Sequence, residues 1–133
     1  SLAVSLNAAD DETRSRLMPI NRRYPLEALL EACRRYPLPP GRRITFEYIL
    51  IRGVNDSLDD ARRLARLLRP IRCKVNLIPF NPHPGCELER PGDEQVAAFR
   101  DALVAKHFTV IVRHSKGQDI LAACGQLRAE TAV

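Results

Sequence analysis

Short β-branched or apolar stretches alternate with longer amphipathic ones along this chain, and this alternation constrains the fold more than any other feature. The pattern predicts strands at residues 2–6, 43–51, 73–79 and 108–113, and helices at 10–17, 25–35, 57–69 and 93–106. Strands separated by helices are typical of βαβ units, which form parallel sheets. Four units are too few to close an eight-stranded barrel. The sequence therefore predicts an α/β fold, either about half of a TIM-like barrel or an open sheet.

The helices are predicted from apolar faces at helical spacing. The residues assigned to these faces are Leu26, Leu29, Leu30 and Cys33; Ala61, Leu64, Ala65 and Leu68; and Val96, Phe99, Leu103 and Val104. Ser57 and Asp60 predict a capping box at the third helix. Pro19 is expected to stop the first helix, and Lys106 to complement the dipole in the last turn of the fourth.

The chain is basic, with 21 Lys and Arg residues against 16 Asp and Glu. A surplus of cations suits a nucleic-acid partner, although a solvated basic surface is the more ordinary explanation for a chain of this length. The absence of Trp and the few aromatic residues argue against a platform for stacking bases. No apolar run is long enough to span a bilayer and no signal peptide opens the sequence, which predicts a cytoplasmic protein without a membrane partner.

The four cysteines, at positions 33, 73, 86 and 124, are irregularly spaced and contain no Cys-x-x-Cys pair. This spacing predicts neither a zinc site nor a local iron–sulfur site, so no metal-binding residues are assigned. The first residues read as a strand already under way. We therefore expect the chain to be part of something longer.

Polar side chains occur at or near the carboxyl end of each predicted strand. They are Ser5 and Asn7, Glu47, Asn76 and Asn81, and Arg113. In parallel barrels the chemistry lies at this end of the strands. Singly, each residue is explained as a turn residue or a satisfied hydroxyl; together, they are typical of a polar ligand site. The residues alone leave both interpretations open.

Cys124 lies between small residues, in Ala122-Ala123-Cys124-Gly125, on a predicted helical stretch at 119–124. A thiol in such surroundings has room to approach a substrate, and nearby cations lower the pKa of a thiol. Cysteine is also a common small buried residue near the end of a helix. A nucleophile and a structural residue are both compatible with this segment.

An ordered set of segments covering nearly the whole chain resembles the radical S-adenosylmethionine methyltransferases of the RlmN/Cfr type. The segments are Leu2-Ala3-Val4-Ser5-Leu6-Asn7-Ala8, Met18-Pro19-Ile20-Asn21-Arg22-Arg23-Tyr24-Pro25, Thr45-Phe46-Glu47-Tyr48 with Gly53-Val54-Asn55-Asp56, Cys73-Lys74-Val75-Asn76-Leu77-Ile78-Pro79-Phe80-Asn81-Pro82, and Val112-Arg113 with Ala122-Ala123-Cys124-Gly125-Gln126-Leu127. The order of these segments carries the resemblance, since no single one is specific. The match is to the carboxy-terminal part of the family.

The resemblance implies part of a partial barrel that holds S-adenosylmethionine against a 4Fe–4S cluster. In the family, the residues matching Ser5, Leu6 and Asn7 and the asparagine matching Asn81 contact S-adenosylmethionine. Many relatives have His where Asn7 stands. The resemblance makes residues 1–133 the carboxy-terminal portion of the barrel domain, with 114–133 a tail that carries Cys124.

The implied activity is methylation of carbon 2 of an adenine in 23S ribosomal RNA, and in transfer RNA as well. Cys124 is implied to be the methyl carrier: one S-adenosylmethionine methylates its thiol, and a second supplies the radical that activates the S-methyl group. The target adenine must leave its stack to be reached.

This sequence departs from the family in lacking the Cys-x-x-x-Cys-x-x-Cys motif that binds the cluster. The resemblance places those ligands upstream of Ser1, so the chain alone is expected to be inactive and, with an open sheet edge, to self-associate. Two alternatives remain: methylation of adenine at carbon 8, as in the antibiotic-resistance branch of the family, and a cofactor-free RNA-binding module built on a half barrel.

Overall fold

In the computed structural model, which describes residues 2–114, strands and helices alternate as the sequence predicts. The elements are β1 (Ala3–Ser5), α1 (Asp11–Leu17), a 3₁₀ helix (Pro19–Arg22), α2 (Leu26–Arg35), β2 (Ile44–Leu50), α3 (Leu58–Leu68), β3 (Cys73–Pro79), α4 (Asp93–Val104) and β4 (Val110–Val112). The predicted elements match these to within two residues at each end. The predicted helix at 119–124 lies outside the described residues.

The four strands form one parallel sheet in the order β1-β2-β3-β4. Each strand therefore lies beside its neighbour in the chain, and the sheet never reverses its direction of growth. A doubly wound open sheet would contain such a reversal, whereas a βα-barrel does not. The strand order agrees with the prediction of part of a barrel and differs from the order of a doubly wound sheet.

One face of the sheet packs against the helices. Val4, Phe46, Val75 and Val110 are paired in register across this outer face and share a core with residues of α2, α3 and α4. The opposite surface, here called the inner face, carries the alternate residues, because side chains along a strand point to opposite sides. Its central row consists of Ser5, Glu47, Asn76 and Ile111.

Tyr48 anchors the core between sheet and helices. Its side chain is fully buried and its ring centroid lies 5.2 Å from that of Phe99 in α4. Its hydroxyl donates to the main-chain oxygen of Asn55 over 2.7 Å. Burial, reinforced by the charges of Asp60, Asp10 and Asp56, raises the pKa of Tyr48 well above 10. Tyr48 thus serves as a neutral hydrogen-bond donor within the core.

The predicted capping box at α3 is confirmed. The main-chain N–H of Asp60 donates to Ser57 Oγ over 3.0 Å, and the N–H of Ser57 donates to Asp60 Oδ2 over 3.2 Å. The inward face assigned to this helix is also correct, since Ala61, Leu64, Ala65 and Leu68 are all buried.

α1 ends at Leu17, as expected from Pro19, which begins the 3₁₀ helix, where its missing N–H costs nothing. Two other details of the sequence prediction are wrong. Val104 is 48% exposed and so does not belong to the apolar face of α4. Lys106 lies beyond the end of α4, whose last turn carries no basic residue. Two residues beyond the C-cap Ala105, His107 adopts a left-handed backbone, φ 72°.

Candidate functional site

A row of polar side chains crosses the inner face at one level of the sheet. The register pairs Ser5 with Glu47 and Glu47 with Asn76, and Ile111 of β4 completes the row. Adjacent strands in a sheet lie about 5 Å apart, so the three polar side chains are neighbours. A hydroxyl, a carboxylate and an amide therefore stand side by side on the surface that faces the interior of a barrel.

Asn76 is the most buried member of this row, with 6% of its surface exposed. Within residues 2–114 its side-chain amide makes no hydrogen bond, yet it is not sealed from solvent. The Glu47 carboxylate likewise has no ion pair or hydrogen bond there. Leaving a buried polar group without a partner costs about 1–3 kcal/mol. Such groups are suited to exchange water for the polar groups of a ligand.

The inner face becomes apolar toward the carboxyl ends of β2 and β3. Ile49 and Ile78 are paired in register and form a cluster with Leu17, Ile51 and Phe80. A ligand that reaches the polar row therefore also meets an apolar surface, a combination that is common in cofactor sites.

Arg14 fixes the end of β1, where the first predicted contacts lie. Its guanidinium donates from Nε to the main-chain oxygen of Leu6 over 2.9 Å and from Nη2 to that of Ser5 over 3.0 Å. A third bond, 2.9 Å from Nη1 to Oδ1, holds Asn21. Only 4% of Arg14 is exposed, and this burial lowers its pKa, a shift that the charge of Asp11 opposes.

Asn55 ties the ends of β1 and β2 together. Its amide nitrogen donates to the main-chain oxygens of Asn7, over 2.8 Å, and Ile49, over 2.7 Å. Its Oδ1 accepts from the N–H of Ile51 over 2.8 Å. Asn55 is fully buried, so every polar atom of its side chain is used to set the geometry of this edge.

Asn7 has a left-handed backbone, with φ 61°, and so does not continue the extended conformation of β1. Its side-chain oxygen accepts from the N–H of Ile49 over 2.9 Å, and its nitrogen lies 3.5 Å from Met18 Sδ. Asparagine tolerates this conformation better than most residues. The Asn7 side chain is therefore engaged in joining β1 to β2.

The structure places the predicted site residues in different surroundings. Ser5 is exposed on the inner face, in the polar row. The Leu6 side chain is fully buried in the core, and its main-chain N–H and oxygen bind Glu47 and Arg14. Asn81 is exposed just after β3. Cys124 and most of the predicted tail at 114–133 lie outside the described residues.

Sequence reasoning noticed Glu47 and Asn76 but did not place them beside Ser5, because the pairing register is not visible in a single chain. It missed Arg14 and Asn55 entirely. An arginine on an amphipathic helix is usually solvated, and an asparagine before a helix is usually a turn residue. The signal that the sequence offered for site residues was the position of a polar residue next to the end of an apolar strand.

Residues 2–114 contain no group of three or more His, Cys, Asp or Glu side chains that could hold a metal ion. This part of the chain therefore offers no ligand set for an iron–sulfur cluster. In the same residues, no helix combines the length and apolarity needed to cross a membrane.

The chain is similar in sequence to curated RNA methyltransferases. It is 60% identical over 130 residues to the "Dual-specificity RNA methyltransferase RlmN" of Geobacter sulfurreducens, a match that covers 98% of this chain and 36% of that protein. The protein of the same name from Geotalea uraniireducens is 61% identical over 128 residues, covering 96% and 37%. The chain thus spans little more than a third of the relatives it matches. No protein-family model matches it.

The chain is also similar to solved protein structures. A radical SAM methyltransferase from Sphaerobacter thermophilus is 56% identical, with a TM-score of 0.83 over 97% of this chain and 38% of that one. A domain of pyruvate-formate lyase-activating enzyme from Bacteroides vulgatus is 15% identical, with a TM-score of 0.67 over 84% of this chain and 66% of that one. The second likeness concerns the fold alone.

Proposed function

Since this chain is the counterpart of the carboxy-terminal part of radical S-adenosylmethionine methyltransferases of the RlmN type, we propose that it forms part of an enzyme that methylates carbon 2 of adenine in RNA. The relatives are named dual-specificity RNA methyltransferases, which supports more than one RNA substrate; we propose that these are 23S ribosomal RNA and transfer RNA. The activity belongs to a full-length cytoplasmic enzyme that carries this sequence, and the 133-residue chain alone is inactive.

The polar row on the inner face is the observation that carries the proposal. Ser5, Glu47 and Asn76 present a hydroxyl, an acceptor and an amide without partners of their own in residues 2–114. These groups complement the ribose hydroxyls, ammonium group and adenine edge of S-adenosylmethionine, and Asn81 stands next to this face after β3. When bound, S-adenosylmethionine supplies both the methyl group and, with the cluster, the radical chemistry.

The described residues do not supply cluster ligands, so we assign the 4Fe–4S cluster to a part of the full-length enzyme outside this chain. The role we propose for this chain is to bind and orient S-adenosylmethionine and to carry the methyl group on Cys124. A deprotonated thiol is a competent nucleophile for a methyl group. A covalent carrier suits an adenine carbon that has no useful nucleophilicity.

Substitution of the methyl carrier tests the chemistry. In the full-length enzyme, Cys124→Ala is expected to abolish methylation of RNA, measured by mass spectrometry of digested nucleosides. Persistence of turnover in this variant contradicts the carrier role. In the unsubstituted full-length enzyme, a product methylated at carbon 8 contradicts the proposed position, and RNA binding without any methylation supports the cofactor-free RNA-binding module.

Substitution in the polar row tests the cofactor site. Glu47→Gln removes one charged acceptor and is expected to weaken S-adenosylmethionine binding about tenfold, the effect of losing about 1.5 kcal/mol. Glu89→Gln makes the same change at an exposed carboxylate whose contact with Arg52 is a long 3.9 Å, and serves as the matched control. Equal effects of both substitutions, measured by equilibrium dialysis, contradict the placement of the site.

Self-association of the isolated chain follows from its open sheet. β1 and β4 each pair with one strand in the described part of the chain, and unpaired strand edges are templates for pairing with another chain. Sedimentation equilibrium is expected to show dimers or larger species at high concentration. A monomer at every concentration contradicts this part of the proposal.

A further inference from the structure

The edge of the sheet where the strands begin carries a concentration of exposed cations. Arg42 and Arg43 precede β2, Arg72 precedes β3, Arg69 ends α3, and Lys106 lies between α4 and β4. We call these five residues the basic amino edge. They line a cavity of about 520 Å³ together with His107, Thr109 and neighbouring residues. This surface lies at the end of the sheet opposite to the predicted contacts of Asn7 and Asn81.

Among the described residues 2–114, the five cations of the basic amino edge have no acidic partners. The cavity lining contains no Asp or Glu, and within residues 2–114 none of the five forms an ion pair. Several arginines elsewhere on the surface are paired with carboxylates from the same or an adjacent turn. Examples of such pairs are Arg34 with Glu31, Arg62 with Asp59, Arg63 with Asp60 and Arg90 with Asp93.

Helix dipoles do not account for this charge. Helices α3 and α4 have their carboxyl ends at this edge, and the carboxyl end of a helix carries about −0.5 of an elementary charge. The two ends together supply about −1 against the five positive charges of the edge. Arg42, Arg43 and Arg72 also lie in the segments that lead into strands, beyond the last turn of any helix.

The geometry brings these cations together across three strands. The N–H of Ile44, next to Arg43, donates to the main-chain oxygen of Arg72 over 3.0 Å. The Arg43 guanidinium donates to Thr109 Oγ1 over 2.9 Å, which links the start of β2 to the start of β4. Arg43 is therefore held in place, with further guanidinium donors available to an anion.

The cavity continues onto the inner face. A second cavity, of about 410 Å³, shares Arg42, Arg43 and Thr109 with the first and adds Lys74 and Thr45. Its lining is again free of Asp and Glu. Arginine, lysine and threonine side chains are the groups that proteins use to contact phosphate and sugar. A concave surface of one sign also concentrates the electrostatic field.

We propose that the basic amino edge binds the phosphate backbone of the RNA substrate, at a distance from the adenine that is methylated. The identification of the partner as substrate RNA rests on the proposed function. Strands of seven residues place the two ends of the sheet about 20 Å apart, which corresponds to about six nucleotide steps. The basic amino edge is therefore expected to recognise the negative charge of the RNA and not its base sequence, because phosphates carry no base information.

Binding of a fluorescein-labelled RNA hairpin to the 133-residue chain, followed by anisotropy at several salt concentrations, tests this proposal. The variant Arg42→Gln/Arg69→Gln/Arg72→Gln is expected to bind about 10- to 100-fold more weakly at low salt, and to lower the slope of log K against log salt by about 2. The matched control is Arg34→Gln/Arg35→Gln/Arg62→Gln, which removes the same charge from ion-paired positions. The control is expected to change binding less than about threefold.

Equal losses in both triple variants overturn the proposal, because they show that net charge alone matters. Unchanged binding in the first variant overturns it directly. If circular dichroism shows that the triple variant does not fold, Arg72→Gln alone is expected to lower the slope by about 0.7–0.9. The assay needs neither cofactor nor Cys124, so Cys124→Ala is expected to bind RNA normally. A failure of the methylation chemistry is therefore distinguishable from a failure of this site.

Discussion

The two ends of the sheet use polar residues in opposite ways. At the carboxyl ends of β1 and β2, Arg14 and Asn55 are buried and donate hydrogen bonds to main-chain oxygens and, from Arg14, to Asn21 as well. At the amino ends, Arg42 and Arg72 are exposed and have no ion pair within residues 2–114. Buried polar groups must be hydrogen-bonded to be tolerated, whereas solvated ones need not be. The first set therefore builds the fold, and the second is available to a ligand.

Among the substitutions that distinguish the two ends of the sheet, Arg14→Met is expected to have the largest effect on the free energy of unfolding. This substitution leaves the main-chain oxygens of Ser5 and Leu6 without their charged donor. Removing a partner from a buried group costs about 1–3 kcal/mol, so losing these bonds should lower the free energy of unfolding by about 4 kcal/mol. Urea denaturation measures it. Arg62→Met, at an exposed ion pair, is the control, and a similar loss there would contradict the distinction.

Asn55→Asp should have the next largest effect. The change keeps the shape of the side chain but replaces an amide donor with an oxygen that faces the main-chain oxygens of Asn7 and Ile49. We expect a loss of about 3 kcal/mol in the free energy of unfolding at neutral pH. A loss below about 1 kcal/mol would show that water takes over the hydrogen bonds of the amide and that the carboxyl ends of β1 and β2 are accessible to solvent.

Cys73, at the start of β3, makes the free energy of unfolding depend on pH. Its side chain is buried next to the basic amino edge. Burial raises the pKa of its thiol from 9.0 to about 11, against the opposing charge of Arg43. The folded state keeps the proton that the unfolded chain loses, so this stabilisation is complete below pH 9 and is lost as the pH rises to 11. It amounts to about 2 kcal/mol. In Cys73→Ala, the decline in unfolding free energy over this range should be smaller; identical declines would contradict the assignment.

The smallest effect on stability is expected at the basic amino edge. Arg42→Gln/Arg69→Gln/Arg72→Gln removes three exposed cations that support no ion pair within residues 2–114. The free energy of unfolding should change by less than about 0.5 kcal/mol per residue, and relief of repulsion among like charges favours a gain. Thermal and urea denaturation measure it. A loss of several kcal/mol would mean that these residues hold the fold after all.

Periodicity alone was sufficient for much of the fold. Alternation of strand and helix predicted the parallel sheet, and Ser57 with Asp60 predicted the start of α3, because both signals are local in sequence. The strand order and register were not predictable in this way, since they depend on residues distant in the chain. Ser5, Glu47 and Asn76 could be suspected individually but not aligned.

The candidate site was less predictable than the fold. The contacts of Ser5, Leu6, Asn7 and Asn81 with S-adenosylmethionine, and the role of Cys124, came from the resemblance and remain predictions. The structure adds that Leu6 reaches this region only through its main chain, because its side chain lies in the core. No pattern of spacing reveals that an arginine such as Arg14 is buried, because burial depends on the loops around it.

The left-handed backbone of Asn7 restricts which residues evolution can place at this position. A φ of 61° is strained for β-branched and bulky residues and is adopted most readily by Gly, Asn, Asp and His. Asn and His are both on that short list. An exchange between them is therefore expected to preserve the main chain, whatever it does to the side-chain contacts. A substitution at position 7 meets a backbone constraint as well as a chemical one.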